Sequence, residues 1–283
     1  MSAAVVILFA LLVLATAAYF AFVLRVLSRL SPPAGAPETL VTWKGAHGFA
    51  ILVAFMVANV AAFVFGSVFA GAAGYAHDSD IVVAVQIVAT YVLNLPTLTA
   101  VFSIAARHGD PLGALGLKTA PLAKSLAAGV GLFFLFLPLK FALSPIVDEL
   151  WRAIPGTKPG VQEVAEMLTR AHLPLLVLMV MAAVVVAPVF EEMIFRAFLQ
   201  KGLERSFGRW PAIVVTSVLF AAVHGSVPVG LQVLPLAFVM SIFYDRRRDL
   251  AASMVFHGLF NATSVALALL ARQAGLDLPG RSS

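Results

Sequence analysis

The sequence predicts an all-α polytopic membrane protein of about eight transmembrane helices, and three observations carry that reading. Of its 283 residues, 61% are hydrophobic and only 12% charged, with mean hydropathy +0.99, whereas soluble domains are about half apolar. The apolar residues come in runs of about twenty, the length that crosses a hydrocarbon core about 30 Å thick. Basic residues gather in alternate connections between these runs, as they do where one side of each loop pair stays in the cytoplasm.

The first run, 3–24, follows "MSAA", which lacks the basic start of a secretory signal. "ATA" at 15–17 resembles a cleavage site, but the run continues through Phe22 to Arg25, so a retained span is expected. The proline- and glycine-rich linker "SPPAGAPETLVTWKG" (31–45) leads to runs at 46–70 and 80–104, and "LGALGLK" (112–118) precedes the fourth, 122–143. Segment 144–172 contains "VQEVAEMLTRA", whose Val161, Val164, Ala165 and Leu168 recur at helical spacing. It is expected to form a short amphipathic helix on the membrane surface. The remaining runs, 173–199, 210–226, 228–244 and 250–271, are short or broken by polar residues.

With the N-terminus outside, the inner loops hold Arg25, Arg29, Lys44; Arg107, Lys118, Lys124; Lys201, Arg205, Arg209; and Arg246, Arg247, Arg248. The outer segments hold only Arg152, Lys158, Arg170, Arg272 and Arg281. Both termini are therefore expected outside, in what reads as a bacterial cytoplasmic membrane, with residues 1–283 forming one membrane domain and lipid as its surroundings. The net charge of +5 is dispersed over these loops and forms no basic arm, so nucleic acid is not an expected partner. The absence of cysteine excludes disulfides, thiolate metal sites and cysteine nucleophiles. No internal repeat argues for an inverted-repeat transporter.

Polar residues inside apolar runs are costly and usually have a job. Three groups stand out. In "APVFEEMIFRAF" (187–198), Glu192 and Arg196 are four apart and share a helix face, which reads as an ion pair with Arg196 able to snorkel to the interface, while Glu191 is rotated about 100° away and has no such partner. In "FAAVH" (220–224), Phe220 and His224 share a face, and in "HGLFN" (257–261), His257 and Asn261 do. Taken singly, a histidine or an asparagine in a span is commonly a hydrogen-bonded packing residue. Together, a carboxylate, two histidines and an amide supply what peptide hydrolysis needs: a base for water, a polarising partner and donors for an oxyanion. No serine stands beside a base; Ser217, Ser241, Ser253 and Ser264 read as packing residues.

The order EExxxR, FxxxH, HxxxN, carried here by Glu191, Glu192 and Arg196, Phe220 and His224, and His257 and Asn261, resembles the CPBP family of intramembrane proteases, the CAAX prenyl endopeptidase, bacteriocin-processing and Abi-like group. "LGALGLK" resembles the family as well. The motifs lie within 187–261, a catalytic core in this reading; residues 1–105 carry none. The resemblance implies a helical membrane fold with a polar cavity opening toward the cytosol, and an endopeptidase acting on a membrane-associated protein or peptide. A glutamate-activated water is one mechanism proposed for the family. Because Glu192 faces Arg196 and Glu191 lacks that partner, Glu191 is expected as base, with His224 polarising the water, His257 and Asn261 serving the oxyanion, and Glu192, Arg196 and Phe220 in support. No cofactor is required in that reading. The family was first described as metal-dependent, and zinc would fall to Glu191, His224 and His257, although these lie on three runs and lack HExxH spacing. The alternatives are a non-proteolytic binding or immunity scaffold of the same fold, and a proton-coupled transporter. The latter expects polar residues along both halves, yet the first four runs offer little beyond Asn59, Gln86, Asn94 and Lys140.

Overall fold

The computed structural model describes residues 3–31, 43–107, 109–154, 167–168 and 170–274. Every regular element among them is helical: α1 (Ala3–Ser28), α2 (Gly45–Ala73), α3 (Asp80–Ala106), the short α4 (Pro111–Ala114), α5 (Leu122–Arg152), α6 (Leu173–Phe207), α7 (Arg209–Ala222), α8 (Val227–Arg247) and α9 (Leu250–Gln273). The expected amphipathic helix around 161–171 lies largely outside the described residues.

Seven of these helices are long and apolar enough to cross a membrane. The run expected at 210–226 instead forms the shorter α7, Arg209–Ala222, about 21 Å long at 1.5 Å per residue and below the thickness of a bilayer core. The turn that follows ends α7 at Ala222, and Pro228, in the first turn of α8, has no N–H to continue a ladder. The fifth run does not stop at 199: α6 continues to Phe207 through Lys201 and Glu204. The fourth continues to Arg152 despite Pro138 and Pro145. Apolar composition marks where a helix is in lipid; hydrogen bonding carries it further into the interface.

Burial orders the bundle. Valines and leucines of α1 and aromatic residues of α2 remain exposed, among them Leu8, Leu14, Phe63 and Phe65, which is where lipid takes the place of protein packing. In contrast, Met193–Gln200 of α6 are all buried, and Phe195, Phe198, Phe220, Met240 and Phe256 meet there in the main core. A charge on this stretch of α6 is therefore enclosed by protein and not by solvent.

"LGALGLK" has a structural role. Lys201 Nζ donates to Ala114 O at 2.8 Å, Tyr244 Oη to Leu115 O at 3.2 Å, and Leu250 N–H to Gly116 O at 2.9 Å. The segment so ties together α6, α8 and α9 at the basic end of the bundle. Gly116 sits at φ 83°, where a Cβ would meet Arg248 O, so the close approach needs glycine. Asp249 completes the joint, capping α9 through Ala252 N–H at 3.1 Å and accepting from Ser125 Oγ at 2.9 Å.

Candidate active site

The carboxylates sit between two π-helical turns of α6, Ala182–Val186 and Met193–Gln200. Such turns bond i to i+5, leave carbonyls out of the α register, and are frequent at functional sites. In the first turn the donor opposite Ala183 O would be residue 188, which is proline and has no N–H. Asn261 supplies the missing donor: its Nδ2 lies 2.8 Å from Ala183 O. The neighbouring Ala182 O accepts from Tyr91 Oη at 3.3 Å. In the second turn Phe198 O accepts from Trp43 Nε1 at 2.9 Å, with the indole stacked on the Phe198 ring at 4.8 Å. Residues distant in sequence thus hold open the distortion that aims the glutamates.

Glu192 and Arg196 are both fully buried, with Nε 3.5 Å from Oε2. The expected facing pair is present, but Arg196 does not snorkel: its guanidinium lies over the Phe220 ring at 4.3 Å. The enclosure of α6 leaves it no route to the interface. Glu192 Oε1 also lies 3.1 Å from His257 Nδ1. A carboxylate accepts only, so this contact places the proton on Nδ1 and leaves Nε2 for other partners. Nε2 is 3.8 Å from Glu191 Oε2, too long for a direct hydrogen bond and short enough for one water to reach both. Glu191 is 24% exposed against 0% for Glu192, so the two adjacent carboxylates have different surroundings.

Phe220 joins the histidines, its ring centroid 5.1 Å from that of His224 and 5.6 Å from that of His257. His224 Nδ1 lies 2.8 Å from Phe220 O, which fixes a proton on Nδ1. His224, His257 and Asn261 line one cavity of about 190 Å³ with Phe260, Ser264 and Leu168. Extension of α6 to Phe207 brings Glu191 to the depth of His224. Glu191 lies about 24 Å from that end and His224 about 22 Å from Arg209, counted at α-helical rise, so the two residues are nearly level. A larger apolar groove, between Phe65 of α2 and Val88 and Val92 of α3, has no polar lining and includes none of these groups.

Among the described residues, no three His, Asp or Glu side chains converge as a metal site. Both nitrogens of His257 are directed toward carboxylates and Nδ1 of His224 toward a carbonyl. Glu191, His224 and His257, the donor set expected for zinc, do not converge as such a group.

The sequence reading missed Tyr91, whose ring packs on Phe190 at 5.3 Å and which is close enough to Glu191 to feel its charge. It also missed Gly258. A Cβ there would lie 2.6 Å from Val184 O, a backbone atom of α6, so only glycine lets α9 come this near to the helix bearing the glutamates. Gly258→Ala should push α9 back, breaking the 3.1 Å contact between His257 and Glu192. A displacement approaching 1 Å should cost about 100-fold in turnover, with the protein still folded; unchanged turnover in a peptide-cleavage assay would show that the close approach does not set the site.

The cavity lies at the end of the bundle marked by His224 and Leu168, opposite the end marked by Arg209 and Arg248. The charge bias puts that end outside, whereas the resemblance implies an opening to the cytosol; these two expectations are incompatible in this fold. The cysteine-free chain allows a clean decision. Introduced at exposed His77 and Phe207, single cysteines should react with an impermeant reagent in intact cells at 77 and only after permeabilisation at 207. The reverse pattern would put the cavity toward the cytosol.

Comparison with known proteins adds to this geometry. Residues 173–263, which contain all three polar groups, match the model of a family described as "Type II CAAX prenyl endopeptidase Rce1-like". The chain is 36% identical over 77 residues to UPF0177 protein YaiH of Lactococcus lactis subsp. lactis, covering 27% of this chain and 31% of that one. It is 38% identical over 77 residues to the UPF0177 protein in the abiGi 5' region of Lactococcus lactis subsp. cremoris, covering 27% and 32%. The aligned part thus spans about a third of the length of these curated relatives. No solved structure matches significantly. Residues 173–263, the segment that carries the buried carboxylates and the histidine cavity, are thus similar to the Rce1-like type II CAAX prenyl endopeptidase family, and the UPF0177 relatives fit the wider CPBP and Abi-like group.

Proposed function

We propose that the protein is an intramembrane endopeptidase that hydrolyses a peptide bond of a membrane-associated protein or peptide with water activated by Glu191. One observation carries the proposal: the adjacent carboxylates are differently employed, Glu192 being tied to Arg196 and His257 while Glu191 stands 3.8 Å from the remaining nitrogen of the same imidazole.

Glu192 orients His257 through Nδ1, and a water held between His257 Nε2 and Glu191 is the nucleophile. As its oxygen bonds to the scissile carbonyl carbon, its proton passes to Glu191. The amide hydrogen of Asn261 not given to Ala183 O, with His224 across the cavity, stabilises the resulting oxyanion. Collapse breaks the C–N bond as Glu191 returns the proton to the leaving amine, giving one carboxylic acid and one amine. In this scheme His257 takes the water-binding place that the sequence reading assigned to His224. The water is held on a rigid wall, since Phe220 packs against both imidazoles and against Arg196.

The family description makes a prenylated C-A-A-X peptide the first substrate to try. Purified protein in liposomes should cleave it at one bond, equally well with and without chelator. Loss of cleavage on chelation would overturn the metal-free scheme. Absence of cleavage alongside retained peptide binding would favour the scaffold reading.

A further inference from the structure

Lys140 is a cation that the hydrolytic scheme does not use. It lies well inside α5, eighteen Å or so along the axis from Arg152 and further from Lys124. Its Nζ donates to Ser264 Oγ at 2.7 Å and sits 3.6 Å from the centroid of the Phe260 ring. Ser264 and Phe260 both line the cavity of His257 and Asn261. Among the described residues no carboxylate lies within ion-pair distance of Lys140. A hydroxyl and a ring face give the ammonium no ionic partner and leave it N–H donors to offer, and a cation at this depth is retained for a partner that arrives.

We propose that Lys140, with Ser264, forms a subsite for a carboxylate of the substrate. The inference rests on the protease reading for its purpose and on the cavity for its geometry. Ser264 follows His257 by seven residues, about 10 Å along α9. An extended peptide covers that distance in about three residues. The carboxylate recognised is therefore one carried about three residues from the scissile carbonyl, either the free chain terminus on the leaving side or an acidic side chain at that remove. Phe260 covers the ammonium on one side and raises the strength of a charge-assisted bond by excluding water.

Binding tests this separately from turnover. Glu191→Gln protein in liposomes is titrated with three fluorescent prenylated C-A-A-X peptides: the free acid, its C-terminal amide, and the amide with aspartate as last residue. The acid should bind about 10- to 100-fold more tightly than the plain amide, the range expected of a hydrogen bond to a charged group. Lys140→Met should bring the acid down to the affinity of the amide, and Lys140→Arg should keep most of the preference. Ser264→Ala gives a second, milder variant, with the preference reduced and not lost. Tight binding of the aspartyl amide as well shows that the site accepts a side-chain carboxylate in place of the chain terminus; weak binding restricts it to the terminus. Equal affinity for acid and plain amide in the Lys140 protein, or a preference that survives in Lys140→Met, overturns the subsite. If wild-type protein cleaves the acid and amide equally, the subsite fails and the protease reading stands. If the acid binds selectively but is never cleaved, the protease reading fails and the subsite stands.

Discussion

Glu191→Gln should lose peptide cleavage by about 100- to 10,000-fold, the usual contribution of a positioned general base, while membrane abundance and melting temperature stay near wild type. The two halves of this expectation have separate origins. Glutamine is nearly isosteric with glutamate but cannot take a proton from water, so the chemical step fails. Glu191 is the partly exposed member of the pair and stands 3.8 Å from His257 Nε2, outside hydrogen-bond distance, so neutralising it removes no buried hydrogen bond that the fold needs. Glu192→Gln differs on both counts, since its carboxylate contacts Arg196 and His257 from full burial. Steady-state kinetics on purified protein, paired with thermal unfolding, separates the variants. If Glu191→Gln turns over at near wild-type rate while Glu192→Gln folds and is inactive, the two assignments are reversed. If both turn over, the motif is not catalytic.

The sequence made the helical class and the members of the site readable because both depend on local chemistry. Runs of apolar residues announce spans, and carboxylates, histidines and an asparagine inside them announce cost. The facing of Glu192 and Arg196 followed from i, i+4 spacing, and they are a pair in the fold. What was not readable depends on contacts between helices. Nothing local shows that Asn261 would satisfy a carbonyl left without a donor by Pro188, since the two lie on different spans. Arg196 looked able to reach the interface because its length permits it, and only the packing of α6 on all sides forbids it. The extent of α7 was missed because hydropathy reads lipid contact. The continuation of α6 past 199 does not show in hydropathy either, since Lys201 is buried by a hydrogen bond to Ala114 O, but it is expected from the need to bring Glu191 level with His224. Gly258 was in view inside "HGLFN", yet a glycine's reason for being there is the backbone opposite it.

Arg196→Gln should show mainly as lost protein. The guanidinium is fully buried and its compensation comes from Glu192 Oε2 at 3.5 Å, the Phe220 ring at 4.3 Å and the further attraction of Glu191. None of its three nitrogens has a protein hydrogen-bond partner among the described residues, so the charge, and not a set of directed bonds, is what it contributes. Removing it leaves Glu192 as an enclosed carboxylate beside a second carboxylate, with His257 as the remaining partner. Breaking a buried pair by deleting one member costs about 3–5 kcal/mol, a large part of the roughly 5–15 kcal/mol that holds a typical domain folded. The double variant Glu192→Gln/Arg196→Gln removes both charges and should recover most of that stability, because two neutral amides carry no stranded charge. Its His257 would lose the carboxylate that fixes Nδ1, so turnover should stay low even as protein returns. Thermal unfolding of the two single variants and the double closes the cycle. A coupling near zero, or an Arg196→Gln protein as stable as wild type, would show that Glu192 does not depend on Arg196 for its charge.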